Sequence, residues 1–136
     1  MANFHPQVME AVAEHFDVSL TKITLAQYRS AGDEKRFTCG VSKTYPNLQY
    51  WYGFQKKHFD FLQKAAAGYA AFGCGSANRI VVIPLAVLRT LVQSMDKTVG
   101  GKKDYWHVRI YEDNPRLLLG QPGRGNAVDV SQYLLS

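Results

Sequence analysis

The side chains in this chain that could do chemistry are few, and most stand alone. Four histidines, His5, His15, His58 and His107, fall on a terminus, two helical stretches and a strand-like run. None belongs to a Ser/His/acid or Cys/His pattern in which a base activates a nucleophile. His107, beside Trp106 on an alternating run, is the most interesting of the four, and a structural histidine at a sheet surface is the simpler reading. Cys39 and Cys74 lie in apolar stretches without C-x-x-C or C-x-x-H spacing, which predicts buried, reduced thiols and no metal site. Gly73-Cys74-Gly75-Ser76-Ala77-Asn78 has the first two glycines of a dinucleotide fingerprint. Asn78 stands at the third place, and a strand follows where a phosphate site needs a helix start, so a hairpin turn is expected. The adjacent acids Glu112 and Asp113 read as a solvated turn rather than as a glycosidase pair.

A magnesium-dependent nuclease needs two acids at neighbouring strand ends to hold the metal and a lysine to polarise the attacking water. Asp33-Glu34-Lys35, with Asp17 upstream, offers fragments of that set. The triplet lies in a turn ahead of a strand, where neither side chain would be held rigidly, so a solvated turn is the plainer reading.

The aromatic and basic residues are more suggestive. Tyr45, Tyr50, Trp51, Tyr52 and Phe54 are interleaved with Lys43, Lys56, Lys57 and His58. Strand alternation sends Tyr50, Tyr52 and Phe54 to one face and Trp51 to the other, so one set is core and the other is exposed. An exposed indole flanked by lysines can stack on a base while the ammonium groups neutralise phosphates. The competing reading is an aromatic core with a solvated lysine rim. Arg124, between Gly123 and Gly125, and Lys102 and Lys103, beside Gly100 and Gly101, are further phosphate contacts on loops. The balance of 16 Lys plus Arg against 11 Asp plus Glu, formally +5, favours an anionic partner.

These residues need a scaffold, and 136 residues, 46% of them hydrophobic, suit one globular domain, residues 1–136. No apolar run approaches the roughly 18–20 residues of a membrane span, and no secretory signal opens the chain, so a cytoplasmic protein with no membrane partner is expected. Apolar Val8, Met9, Val12, Ala13 and Phe16 after Pro6 predict a helix over 6–16. The class of residues 18–28 stays open. Residues 36–42 and 49–54 read as an antiparallel hairpin, and 55–67 as a helix capped by Gly68. Residues 69–74 and 79–83 read as a second hairpin, 85–95 as a helix, and 97–104 as a mobile loop. Residues 105–111 and 116–119 form a third hairpin, and 128–135 end the domain as a short strand or helical turn. The expected fold class is α+β, a mixed, largely antiparallel sheet built from hairpins with about three packed helices.

The strand at 49–54, helix at 55–67, strand at 69–74, "RIVVIP" leading into a helix, and the strand "YWHVRIY" together resemble the later half of restriction-endonuclease-like (PD-(D/E)xK) nucleases. The resemblance covers roughly residues 36–111. It implies a protein that binds or cuts DNA in a restriction, repair or mobile-element setting. In that family an Asp opens one central strand, and a Glu-x-Lys or similar triplet lies on the next, directly before the crossover helix. Here the equivalent place holds Gln55-Lys56-Lys57, and the preceding strand has no acid. Some members use Gln in the triplet, which makes Gln55 and Lys57 the residues the resemblance points to.

The reading that follows is a non-catalytic nucleic-acid-binding module, for DNA, of a restriction or defence-type system, working through Lys43, Trp51, Lys56, Lys57, Lys102, Lys103 and Arg124. No cofactor is expected. The first alternative is a magnesium-dependent endonuclease using Asp17, Asp33 and Lys35, or Gln55 and Lys57. The second is a protein-interaction or regulatory domain in which the aromatics form an interface, as a homodimer or with a larger protein partner.

Overall fold

The computed structural model describes residues 3–100, 104–123, 125 and 127–135. Pro6 in the first turn and the apolar repeat of Val8, Met9 and Val12 give helix α1 (His5–Phe16). It stops at Asp17, which takes a left-handed conformation, with φ 54°. The stretch whose class the sequence leaves open is a hairpin, β1 (Leu20–Thr24) and β2 (Gln27–Ser30). A 3-10 turn, Ala31–Asp33, leads into β3 (Lys35–Ser42). Then follow β4 (Gln49–Gln55), α2 (Lys56–Gln63), β5 (Ala67–Cys74), β6 (Ile80–Pro84) and α3 (Leu85–Leu91). The chain ends with β7 (Lys97–Thr98), β8 (Tyr105–Asp113), β9 (Arg116–Leu119), β10 (Val128–Asp129) and a 3-10 turn, Ser131–Tyr133.

The fold is α+β, as the sequence predicts, but the strands fall into two sheets. One has the order β1-β2-β3-β5-β6; the other runs β10-β9-β8-β4, with β7 also paired to β8. The expected hairpins β5/β6 and β8/β9 form. The expected hairpin of 36–42 with 49–54 does not: β3 pairs in parallel with β5, and β4 pairs with β8 of the other sheet. Burial explains the difference. Phe37, Thr38 and Cys39 are successive buried residues, which marks β3 as a central strand covered on both faces, with β2 and β5 as its neighbours. Asn47 and Leu48, both at positive φ, fold Tyr45 back onto Gln49 locally instead of laying β4 along β3.

Two other expectations need correction. Gly68 does not cap α2; it lies in β5 opposite Arg36, and a Cβ there would stand 2.9 Å from the Leu62 carbonyl oxygen, so close packing is what requires glycine. Within the loop expected at 97–104, Lys97 and Thr98 pair with Trp106 and Tyr105 as β7.

The central strands of the first sheet, β3, β5 and β6, bury both faces, whereas the edge strand β1 is exposed. Towards α1 the sheet presents Phe37, Cys39, Ala71, Ile80 and Val82. Towards the second sheet, α2 and α3 it presents Ala70, Phe72, Cys74, Val81 and Ile83, packed on Tyr50, Tyr52, Phe54, Val108, Ile110, Leu62 and Leu88. The second sheet therefore has one apolar face and one face turned outward, and the outer face of β4 carries Trp51.

Candidate functional site

The strand pattern opens a cleft where the two sheets diverge. Pairing of β2 with β3 ends at Gln27 and Thr38, so the last residues of β3 have no strand on that side among the described residues. The face of β3 turned towards β4 is small: Thr38, Gly40 and Ser42. Gly40 lets the Tyr52 ring approach, since a Cβ there would lie 3.2 Å from Tyr52 Cδ2. Between the end of β3 and the edge strand β4 lies a cleft of about 570 Å³, lined by His5, Thr38, Cys39, Ser42, Lys43, Tyr45, Trp51, Gln55 and His58 among others. That is the size of a small-molecule or nucleotide pocket.

Trp51 stands at the lip of this cleft. It is 36% exposed, whereas Tyr50, Tyr52 and Phe54 are 5%, 4% and 5% exposed, as strand alternation requires. Its backbone N–H donates to Ser42 Oγ at 3.0 Å, and its indole N–H donates to His107 Nδ1 at 3.1 Å. His107 Nε2 lies 2.7 Å from Thr98 Oγ1. An indole N–H can only donate, so the arrangement needs a neutral imidazole with its proton on Nε2, given to Thr98. Tyr105 meets the indole edge-on at 6.3 Å. A Cβ at Gly53 would stand 3.2 Å from Trp51 and 3.3 Å from Tyr105, so the bare backbone makes room for both rings. The indole is thus exposed and fixed in place, which is the arrangement a stacking platform needs.

The charge around it is positive. Lys43 is exposed on the cleft wall, with its ammonium 4.9 Å from the centre of the Tyr45 ring. Lys56 and Lys57 occupy the first turn of α2, where the helix dipole is also positive and that turn itself holds no acid. Lys56 shares its charge with Asp60, 3.0 Å away. Gln55, at the end of β4, lines the cleft, and its Oε1 is buried with no hydrogen-bond partner in the protein; the same holds for His5 Nδ1. Leaving a buried polar atom unmatched costs about 1–3 kcal/mol. Burial, and then the charge of Lys22, lower the His5 pKa and favour its neutral form. Cys39 is no nucleophile here, because burial pushes its thiol up to about 12.

Of the nuclease candidates, Gln55 alone lines the cleft. Asp17 terminates α1, and Asp33 sits in the turn before β3, where both its oxygens accept from Arg36 at 2.9 and 2.7 Å. That hydrogen bonding holds Asp33 below its ordinary pKa. Lys35 opens β3, and none of Asp17, Asp33 and Lys35 lines the cleft. Gln55 does, with Lys57 on the adjoining helix. Among the described residues no group of three or more His, Cys, Asp or Glu is placed to hold a metal ion. Lys102, Lys103 and Arg124 lie outside the described residues.

Sequence reasoning missed one ionic site. Glu112 is not in a solvated turn but in β8, where it accepts from the Tyr50 hydroxyl at 2.8 Å and from Arg79 at 2.6 and 2.7 Å. Burial opposes its charge, but these hydrogen bonds win and hold it below the usual glutamate pKa. Arg79 belongs to the turn before β6, so this pair ties the two sheets together. The only signal in the sequence was an unexplained Arg beside a Gly-rich turn, and nothing local assigned it a partner.

Family models, curated proteins and solved structures provide no match to this chain. The functional reading therefore rests on the site.

Proposed function

We propose that this protein is a DNA-binding module that holds nucleic acid without cutting it, in the cytoplasm, as part of a restriction or defence-type system. The observation that carries the reading is Trp51, an exposed indole locked by His107 and Ser42 at the lip of a cleft, with Lys43 on the wall and Lys56 and Lys57 at the adjoining helix start. Ammonium groups contribute sequence-independent affinity by displacing counterions from phosphates, and base stacking on an aromatic adds about 1–3 kcal/mol per base.

The restriction-endonuclease-like reading enters through β3 and β5, parallel neighbours linked by a crossover that contains α2. The strand directly before α2 is β4, and the strand from which the crossover departs is β3; neither contains an Asp or a Glu. Without a carboxylate at those places a divalent ion has little to hold it, which favours binding over cleavage. The test is to incubate the protein with single-stranded and duplex DNA, first in EDTA and then with Mg²⁺ or Mn²⁺. Binding in EDTA with intact DNA under all conditions is expected. Metal-dependent cutting that is lost in Q55A or K57A would establish the nuclease instead.

A further inference from the structure

Resting on the DNA-binding reading, we propose that the preferred ligand is unpaired DNA, whose bases stack on the outer face of the second sheet at Trp51 and Tyr105. Directly opposed residues of an antiparallel pair share a face. The register of β4 on β8 therefore places Trp51 opposite Arg109, Gly53 opposite His107 and Gln55 opposite Tyr105 on one face, while the alternate pairs, such as Tyr52 with Val108, face the core. All six outer positions are exposed or half-buried, and they hold one permanent cation and no carboxylate. A sheet face that carries aromatic side chains and positive charge is suited to unpaired bases, because every base has a face to stack and every nucleotide a phosphate to neutralise.

The rings are in place before a ligand arrives. Trp51 lies 5.7 Å and Tyr105 lies 5.0 Å, centre to centre, from His107, and both rings lean over the bare backbone of Gly53. With the indole also hydrogen-bonded to His107, stacking on it costs little side-chain ordering. The planes of Trp51 and Tyr105 are 87° apart, so one flat base cannot lie on both and each ring meets a base of its own. Arg109, across the strand pair from Trp51, has a 39% exposed side chain whose ion-pair partner is the exposed Asp96 at 3.5 Å. Such a long, solvated pair holds the guanidinium weakly, which leaves it ready for a phosphate, and Lys43 lies in the same cleft lining as Trp51 for another. In a duplex the faces of each base are covered by its neighbours and only the edges are open in the grooves. Rings fixed on a strand would reach those faces only by unstacking a step, so paired DNA meets the cations and not the rings.

The experiment is a fluorescence-anisotropy titration of the whole protein in EDTA with three labelled ligands of equal length: an oligothymidylate, a strand made only of abasic sites, and a duplex. The abasic strand keeps the phosphates and removes the bases. The oligothymidylate is expected to bind about tenfold more tightly than either of the others. W51A and Y105A, checked for folding by circular dichroism, should each erase most of that advantage and leave the abasic strand unaffected, and W51F, which keeps a ring, should retain part of it. Arg109→Gln should weaken all three ligands. Equal affinity of the wild type for the oligothymidylate and the abasic strand, or tighter binding of the duplex, overturns the stacking face and leaves DNA binding in place. Failure of the folded protein to bind any of the three overturns the DNA-binding reading as well.

Discussion

Trp51 and Cys39 line the same cleft, and their surroundings give them opposite properties. The indole is presented to solvent and oriented by a single acceptor, His107 Nδ1; the thiol is buried and held protonated. Replacing Trp51 by alanine removes the covered majority of a side chain that is only 36% exposed, together with its indole hydrogen bond, so stability should fall by about 1–3 kcal/mol. Affinity for single-stranded DNA should fall by about 1–3 kcal/mol, readable in parallel urea and anisotropy titrations. Cys39 and Cys74, with thiols pushed up to about 12 and about 11, should ignore a thiol reagent at neutral pH in the folded protein. Both should react in urea, and fast native-state labelling of either would contradict the burial described. The outward placing of Trp51 is legible in the sequence, because a strand's period of two depends only on neighbouring residues. The His107 contact is not legible there, because its two partners lie 56 residues apart.

At the scale of elements, the link between the sheets matters most. Glu112, Tyr50 and Arg79 join β8, β4 and the turn before β6, with the Tyr52 hydroxyl donating to the Gly73 carbonyl as a second tie. A carboxylate whose folded pKa is lowered adds stability that is complete above its unfolded pKa and is lost as pH falls through the folded value. Glu112 is of this kind, so its contribution should persist at neutral pH and disappear below the ordinary glutamate value of 4.5. Urea midpoints measured across about pH 7 to 3 should therefore drop more steeply for the wild type than for E112Q. At neutral pH E112Q should be less stable by about 1–2 kcal/mol, allowing for the partial exposure of Arg79. Parallel pH curves would show that the pair contributes nothing. The helices and two of the three expected hairpins are legible from periodicity and turn residues. The partner of β3 is not, because a polar/apolar alternation is equally compatible with a hairpin and with a central strand packed on both faces. Successive burial at Phe37, Thr38 and Cys39 separates the two only once the neighbours are in place.

For the whole molecule, the formal charge of +5 matters through its distribution. Three of its lysines are exposed near the cleft: Lys43 lines it, and Lys56 and Lys57 open α2 directly after the lining residue Gln55. Composition alone points to an anionic partner. Which lysines act together is visible only when the sheets bring the end of β3 to the edge of β4. The central claim is that this face binds DNA through phosphate neutralisation. The most direct measurement is duplex binding by fluorescence anisotropy in EDTA between about 50 and 200 mM salt, for the wild type and for K43E/K56E/K57E. Three phosphate contacts should give a slope of log affinity against log salt near about −3, steeper if further cations take part. The triple variant should remain folded and lose binding. A wild-type protein that is folded yet does not bind at the lowest salt would contradict the account, and would turn attention to a protein partner or a second copy seated on Trp51.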